Sequence, residues 1–559
     1  MSAIRLFAQT ALFAFTLAAC GGGGGGATPA PVPGPTPPPA VVKTSVAEAA
    51  RFLDQASFGA SPSSLATVQS RTLAETLDAE FAKPASLYSG FVFEDANSNT
   101  LCPATGAPAH CFRDHYTLFH LQPQFFARAL TGDDQLRQRV AFALSQIMVI
   151  SGTDIRQPYA MAAFQNILAS DAFGNFRTLL GDVTLNPAMG DYLDMVNNDK
   201  PNPTRGTTPN ENYAREILQL FSIGLVQLNP DGTAKLDGNG QALASYSQDT
   251  VEGFAHAFTG WTYAARPGAT SKWINPRNYE GQMVPFDAHH DMVAKTLLNG
   301  TQLPANQSAA TDLNQALDVI FQHPNVGPFI GKQLIQFLVT SNPSPAYVAR
   351  VTAAFNDNGS GVRGDLKAVV KAILLDDEAR GETKAASDYG RLREPVMVLT
   401  ALLRGAGGST NSDGYYLEAV ANALAQPVYT APSVFNFYAP STPLPGSSSL
   451  VAPALGIIDG TTAIARANVI SKLLAGAIPP DSTVTAATGT AVDSGRFVSV
   501  ATDATALVAL INSSYFHNAM SSGLQTTLTQ TVNGIADNAT RARAALYLAL
   551  ASPEFAVQK

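Results

Sequence analysis

Thr208-Pro209-Asn210-Glu211-Asn212-Tyr213-Ala214-Arg215-Glu216-Ile217-Leu218-Gln219-Leu220-Phe221-Ser222-Ile223-Gly224 reads as one amphipathic helix with both ends marked. Thr208 is an N-cap residue type and Pro209 suits the first helical position. Glu211 stands three residues after the cap, where a glutamate returns a bond to the cap backbone. Gly224 suits the stop. At about 100° per residue, Tyr213, Ala214, Ile217, Leu218, Leu220 and Phe221 fill one broad side. Glu211, Asn212, Arg215, Glu216, Gln219 and Ser222 fill the other. A fully buried helix in a sparsely charged chain would not normally carry Glu211, Arg215 and Glu216 within two turns. The stripe is therefore a solvated face or the wall of a cleft. Arg215 and Glu216 become candidate catalytic residues, whereas Glu211 has a capping role to explain it.

Helical spacing continues on both sides. Residues 135–150, 160–169, 175–183, 311–321, 326–339, 345–355, 366–375, 392–403 and 461–475 read as helices between Gly, Pro, Asn and Ser breaks. The clearest strand signal is 225–228 and 233–236 around Asn229-Pro230-Asp231-Gly232, a hairpin turn. No fixed period recurs, so a solenoid is not indicated. The expected fold class is mainly α: a large multi-helix body with a few short β-hairpins and long ordered loops. The longest aromatic loop, 261–287, carries Trp261, Tyr263, Trp273, Tyr279 and Phe286. It is either a binding wall for a sugar, peptide or aromatic ligand or a cover over the helices.

The 559 residues are ample for a large core, and only 14% are charged. With a net charge of −8 and no Lys/Arg cluster, the footprint of a nucleic-acid binder is missing. Residues 1–20 read as a lipoprotein signal peptide: Arg5, an apolar run over 6–17, then Leu17-Ala18-Ala19-Cys20, which resembles a lipobox. Cys20 would be lipidated and would tie the chain to a membrane. Gly21 after it points, by resemblance to known sorting behaviour, to the outer membrane. The blander alternative is plain secretion after cleavage at Ala19. Residues 21–44 are a Gly/Pro-rich tether. Residues 45–559 form the body, with a candidate sub-boundary near 380–390. In an oxidising compartment Cys102 and Cys111 are expected to form a local disulfide, the alternative being a free or metal-binding pair.

Asp249, Glu252 and His256 carry the strongest chemical signal. On one helix they fall at about 0°, 300° and 340°, so two carboxylates and an imidazole share a stripe. Glu252 and His256 are i, i+4 neighbours. A wet helix face would look the same. His289-His290-Asp291 is the second source. Adjacent histidines point apart, and His290 is the one expected to reach a shared site, with Asp291 orienting it or capping a helix. Joined in one cleft, Asp249, Glu252, His256, His290 and Asp291 would be ligands of a divalent metal. Glu252, His256, Glu216 and Arg215 would be the catalytic groups. Metal-assisted hydrolysis and metal-free acid–base chemistry both fit. HExxH, Gly-x-Ser-x-Gly, P-loop and Rossmann motifs are absent from the sequence. The competing class is a non-enzymatic surface scaffold or binding protein. His110, His115 and His120 read as ordinary surface or packing histidines.

Thr-Pro-Asn-Glu-Asn-Tyr-Ala-Arg-Glu at 208–216, followed by Leu-Gln-Leu-Phe-Ser-Ile-Gly-Leu at 218–225, resembles the signature of the bacterial family known as domain of unknown function 1800. Stretches 137–151, 175–193, 246–261, 290–300, 323–342 and 363–380 agree in the same order, and the resemblance runs from about residue 47 to near the C-terminus. The resemblance implies export and no established activity. It also implies a neighbouring partner family, number 1501, that looks sulfatase-like.

Overall fold

Residues 44–381, 384 and 388–559 are described by a computed structural model. Residues 1–20 with Cys20, where a signal segment is expected, and residues 21–43 of the expected tether lie outside them. Twenty-four α-helices make up the body among the described residues, as the apolar spacing predicts. The helices Val326–Leu338, Pro345–Asn356 and Leu366–Leu375 pack side by side in chain order. Ser344 caps the second: it accepts the Tyr347 N–H at 3.1 Å, and Pro345 takes the first turn. No helix among the described residues is long and apolar enough to cross a membrane.

Strands are few and short. Four antiparallel pairs join Trp261–Thr262 to Val284–Pro285, Lys295–Thr296 to Gln302–Leu303, Arg391–Leu392 to Val557–Gln558, and Ser409–Asn411 to Gly489–Ala491. The hairpin expected around Asn229–Gly232 is there as isolated bridges, Leu228 with Ala234, Leu236 with Ala242 and Val226 with Ala244.

The described residues from 44 to 559 fall in one compact unit. Residues 382–383 and 385–387, within the candidate sub-boundary, lie outside the described residues. Beyond them, Arg393 pairs with the buried Asp54 of the first helix, Val46–Ala56, and His517 adds a second bond to Asp54 at 2.9 Å.

Cys102 and Cys111 form a disulfide with Cα atoms 5.6 Å apart. It fastens the short helix Cys111–His115. Replacing both by serine is expected to remove about 2–3 kcal/mol, the loop-closure entropy of so short a ring. The loss should be local. Hydrogen exchange over residues 98–120 should quicken while the rest of the chain is unchanged; unchanged exchange there would mean that the segment is held without the staple.

Candidate functional site

The signature helix spans Asn212–Gln219, shorter than its sequence suggests. Glu211 stands at the N-cap with φ −93° and ψ −7° and makes no side-chain cap bond. Thr208 and Pro209 lie ahead of the helix, because Asn198 and Asn210 lock this segment. The Asn210 N–H donates to Asn198 Oδ1 at 2.8 Å, and Asn198 Nδ2 donates to the Asn210 carbonyl at 3.1 Å. Asn210 Oδ1 then accepts the Asn212 N–H at 2.8 Å. Freed from capping, Glu211 accepts from Arg215 Nη2 at 2.7 Å and Gln248 Nε2 at 2.8 Å. The stop is as expected: Gly224 has φ +74° and its N–H reaches the Leu218 carbonyl at 3.0 Å.

Glu216 and Ser222, assigned to the polar stripe, are buried. Burial lifts the Glu216 carboxyl above its usual range, with Arg215 pulling the other way. Its Oε2 has no hydrogen-bond partner. Among the described residues no hydrogen bond or ion pair links Glu216 or Arg215 to His256.

The helix Gln248–Ala257 packs on the signature helix. Ser247 caps it, and Val251, Phe254, Ala255 and Ala257 face the core. Asp249 and Glu252 are exposed. His256 lies in the last turn, where carbonyl ends favour a cation, with its side chain 29% exposed. Its Nδ1 bonds to Asp291 Oδ2.

Asp291 is fixed by its neighbours. Its N–H donates to Thr259 Oγ1 at 2.9 Å, and its Oδ1 accepts the Val293 N–H at 3.1 Å. Lys295 Nζ donates to its carbonyl at 2.6 Å. The loop comes this close because Gly260, at φ +84°, has no Cβ; one added there would lie 2.9 Å from the His290 backbone nitrogen. Burial would raise the Asp291 carboxyl, yet the bonds from His256 and Val293 and the charges of His256 and Lys295 hold it below the usual range.

His290 turns the other way and is fully buried. Its Nδ1 faces the Thr259 carbonyl at 2.9 Å and its Nε2 faces Asp312 Oδ2 at 2.9 Å. Lys295 Nζ reaches the same Asp312 oxygen at 2.6 Å. Burial would raise Asp312 as well, but His290, Lys295 and Gln307 together hold it low.

Two expectations are thereby corrected. Asp291 orients His256, not His290. The set Asp249, Glu252, His256, His290 and Asp291 does not converge, because His290 points inward to Asp312 while Asp249 and Glu252 face solvent. Among the described residues no group of three or more His, Cys, Asp or Glu side chains is placed to hold a metal ion. Thr259 and Asp312 escaped the sequence reading. Asp312 lies in the first turn after the Ser308 cap, where an acid is ordinary.

The aromatic loop is mostly cover. Trp261, Tyr263 and Tyr279 are buried. Trp273 stacks on His289 at 4.2 Å, and His289 bonds Asp199 at 3.1 Å.

A family model described as "Protein of unknown function (DUF1800)" matches residues 51–557. No curated protein and no solved structure matches the chain.

Proposed function

The chain belongs to the DUF1800 family of proteins of unknown function, and on that premise we propose that it is an acid–base hydrolase of the cell envelope, with His256 as the base and Asp291 as its positioning residue. The observation that carries this reading is the aim of a fixed, charged Asp291 at His256 Nδ1. An ionised carboxylate only accepts, so Nδ1 carries the proton that faces Asp291, and in the neutral form of the ring, which solvent reaches, the lone pair stands on Nε2. Nε2 takes a proton from a water, and the water oxygen bonds to the carbonyl carbon of an ester or amide. As the tetrahedral adduct collapses, the bond to the leaving group breaks and the imidazolium returns its proton to that group. Such general-base assistance contributes about 10²–10⁴-fold. The envelope location rests on Leu17-Ala18-Ala19-Cys20 and on the disulfide, which belongs to an oxidising compartment.

The test is a panel of chromogenic esters and amides with the mature chain, beside His256→Gln and Asp291→Asn. Turnover of a hit should fall about 10²–10⁴-fold in both variants, in kcat more than KM. Equal turnover in all three proteins would make the pair structural and would favour the non-enzymatic scaffold.

A further inference from the structure

Ser57-Phe58-Gly59-Ala60-Ser61-Pro62 breaks the chain between the first helix and the helix Pro62–Gln69. Gly59, at φ +120°, lies so close to the helix Pro395–Gly405 that an added Cβ would stand 2.7 Å from the Ala401 Cα. That approach brings the Gly59 carbonyl to Arg404, whose Nε donates to it at 2.6 Å. Arg404 Nη1 donates to the carbonyls of Leu130 at 2.6 Å and Ala129 at 3.1 Å, near the end of the helix Leu121–Thr131. Arg404 is only 5% exposed. The acids whose charge it feels, Glu80 and Asp54, are already paired, Glu80 with Lys83 and Asp54 with Arg393 and His517. Nη2 donates to no described residue, yet it is not one of the unpartnered atoms that the fold seals from solvent. Solvent reaches it through a cleft that Arg404 lines.

This cleft, of about 600 Å³, is within the usual range for small-ligand sites and shares no residue with the His256–Asp291 pair. Phe52, Leu53, Ala56, Pro62, Val68 and Leu130 give it apolar walls. Lys83 and Glu80 cancel each other, and Asp133 is exposed, so solvent and salt screen it. Burial pushes Arg404 down to about 10, which leaves it charged near neutral pH. The carbonyl end of a helix offsets part of that charge, but a desolvated cation with an open donor and no counter-ion still favours an anion beside it. An inorganic anion would answer the guanidinium and leave the apolar walls wet. An alcohol of the same length would cover the walls and bring no counter-charge. With Nε and Nη1 occupied, the guanidinium cannot present its two-nitrogen fork, so a singly charged head suits it better than a phosphate dianion. We propose that this cleft binds an apolar carboxylate, a medium-chain fatty acid or an arylalkanoic acid, with one carboxylate oxygen on Arg404 Nη2 and the hydrocarbon along Phe52, Leu53 and Val68.

The experiment is calorimetric titration of the mature chain with decanoate and 3-phenylpropanoate, beside 1-decanol, acetate, decyl phosphate and inorganic phosphate. At least one of the two acids should bind. Decanol and acetate, each carrying half of the recognised chemistry, should bind roughly tenfold more weakly or worse, the equivalent of one lost hydrogen bond to a charged group. Arg404→Gln should bring the acid down to the level of decanol. Because that change also strands backbone carbonyls, a second variant is needed. Thr67→Trp fills the cleft from an exposed wall position, and it should abolish binding with the fold intact by circular dichroism. No binding of either acid at millimolar concentration, decanol binding as tightly as decanoate, or binding that survives Thr67→Trp would each overturn the assignment. So would saturation by inorganic phosphate, or decyl phosphate binding more tightly than decanoate. None of these results bears on His256.

Discussion

Replacing Asp312 by alanine is expected to lower the unfolding free energy by about 3–5 kcal/mol, the range for removing one partner of a buried ion pair. Asp312 is fully buried, and Lys295 is 3% exposed beside it. Oδ2 accepts from His290 Nε2 and Lys295 Nζ, and Oδ1 accepts from Gln307 Nε2 at 2.6 Å. Without the carboxylate, the Lys295 ammonium keeps only the carbonyls of Asp291 and Val293, which bring no charge. Asp312→Asn keeps the volume and part of the hydrogen bonding, so its loss should be smaller. The pH dependence has a definite sign. The folded carboxyl titrates below its ordinary value, so between the two values the unfolded chain binds more protons. The contribution is complete above about pH 4 and is lost as pH falls through the folded value. Urea midpoints of wild type and both variants at neutral and acidic pH measure this. A shift under about 1 kcal/mol in Asp312→Ala would mean that Lys295 finds solvent in the folded state. The same change should reach His256, because Lys295 ties the Asp291 carbonyl to Asp312.

Helical periodicity made most of the fold legible. Residues 326–339 and 366–375 read as helices, and Val326–Leu338 and Leu366–Leu375 are helices, because their apolar faces decide their packing. The signature stretch misled at its start. Thr208, Pro209 and Glu211 satisfy local capping rules, but the Asn198–Asn210 exchange twelve residues away pulls them out of the helix. Glu216 misled for a different reason. A charge on a polar stripe reads as wet, yet the Gln248–Ala257 helix packs on the signature helix, and its carboxyl is buried. The candidate site was legible as a neighbourhood and not as a pairing. Adjacent residues diverge, and which of His290 and Asp291 meets His256 depends on Asp312, an ordinary first-turn acid in sequence.

Glu394→Ala is expected to be the most damaging single change, at the upper end of about 3–5 kcal/mol or beyond it. Glu394 is fully buried. Its Oε1 accepts from Arg391 Nη2 at 2.8 Å. Its Oε2 accepts from Gln426 Nε2 at 2.6 Å and from the Tyr438 hydroxyl at 2.7 Å. Arg139 and Arg391 both donate to the Phe337 carbonyl. Burial and the Arg391 charge push Arg139 down to about 9, and Glu394 opposes them. Alanine leaves two guanidinium groups facing one carbonyl, with the Tyr438 hydroxyl and one Gln426 donor stranded as well; each unmet buried polar group costs about 1–3 kcal/mol. Glu394→Gln keeps an acceptor but removes the charge, so it should fall between wild type and alanine. That order separates the charge from the hydrogen bonds: equal losses would assign the whole effect to charge, and a near-wild-type glutamine would assign it to the bonds. Burial would raise Glu394, yet Arg391, Arg139 and Tyr438 hold it low. Its share of stability is therefore also present above about pH 4.3 and is lost on acidification through the lower folded value. Urea is the right denaturant, because guanidinium salt would screen the charges under test. These bonds join Arg139, Phe337, Arg391, Gln426 and Tyr438, drawn from five separated segments, into one cluster. If that cluster couples the segments on either side of residue 380, the alanine variant should unfold in two steps where wild type unfolds in one. A single, merely weaker transition would mean that the pairing of Arg393 with Asp54 is enough to hold them together.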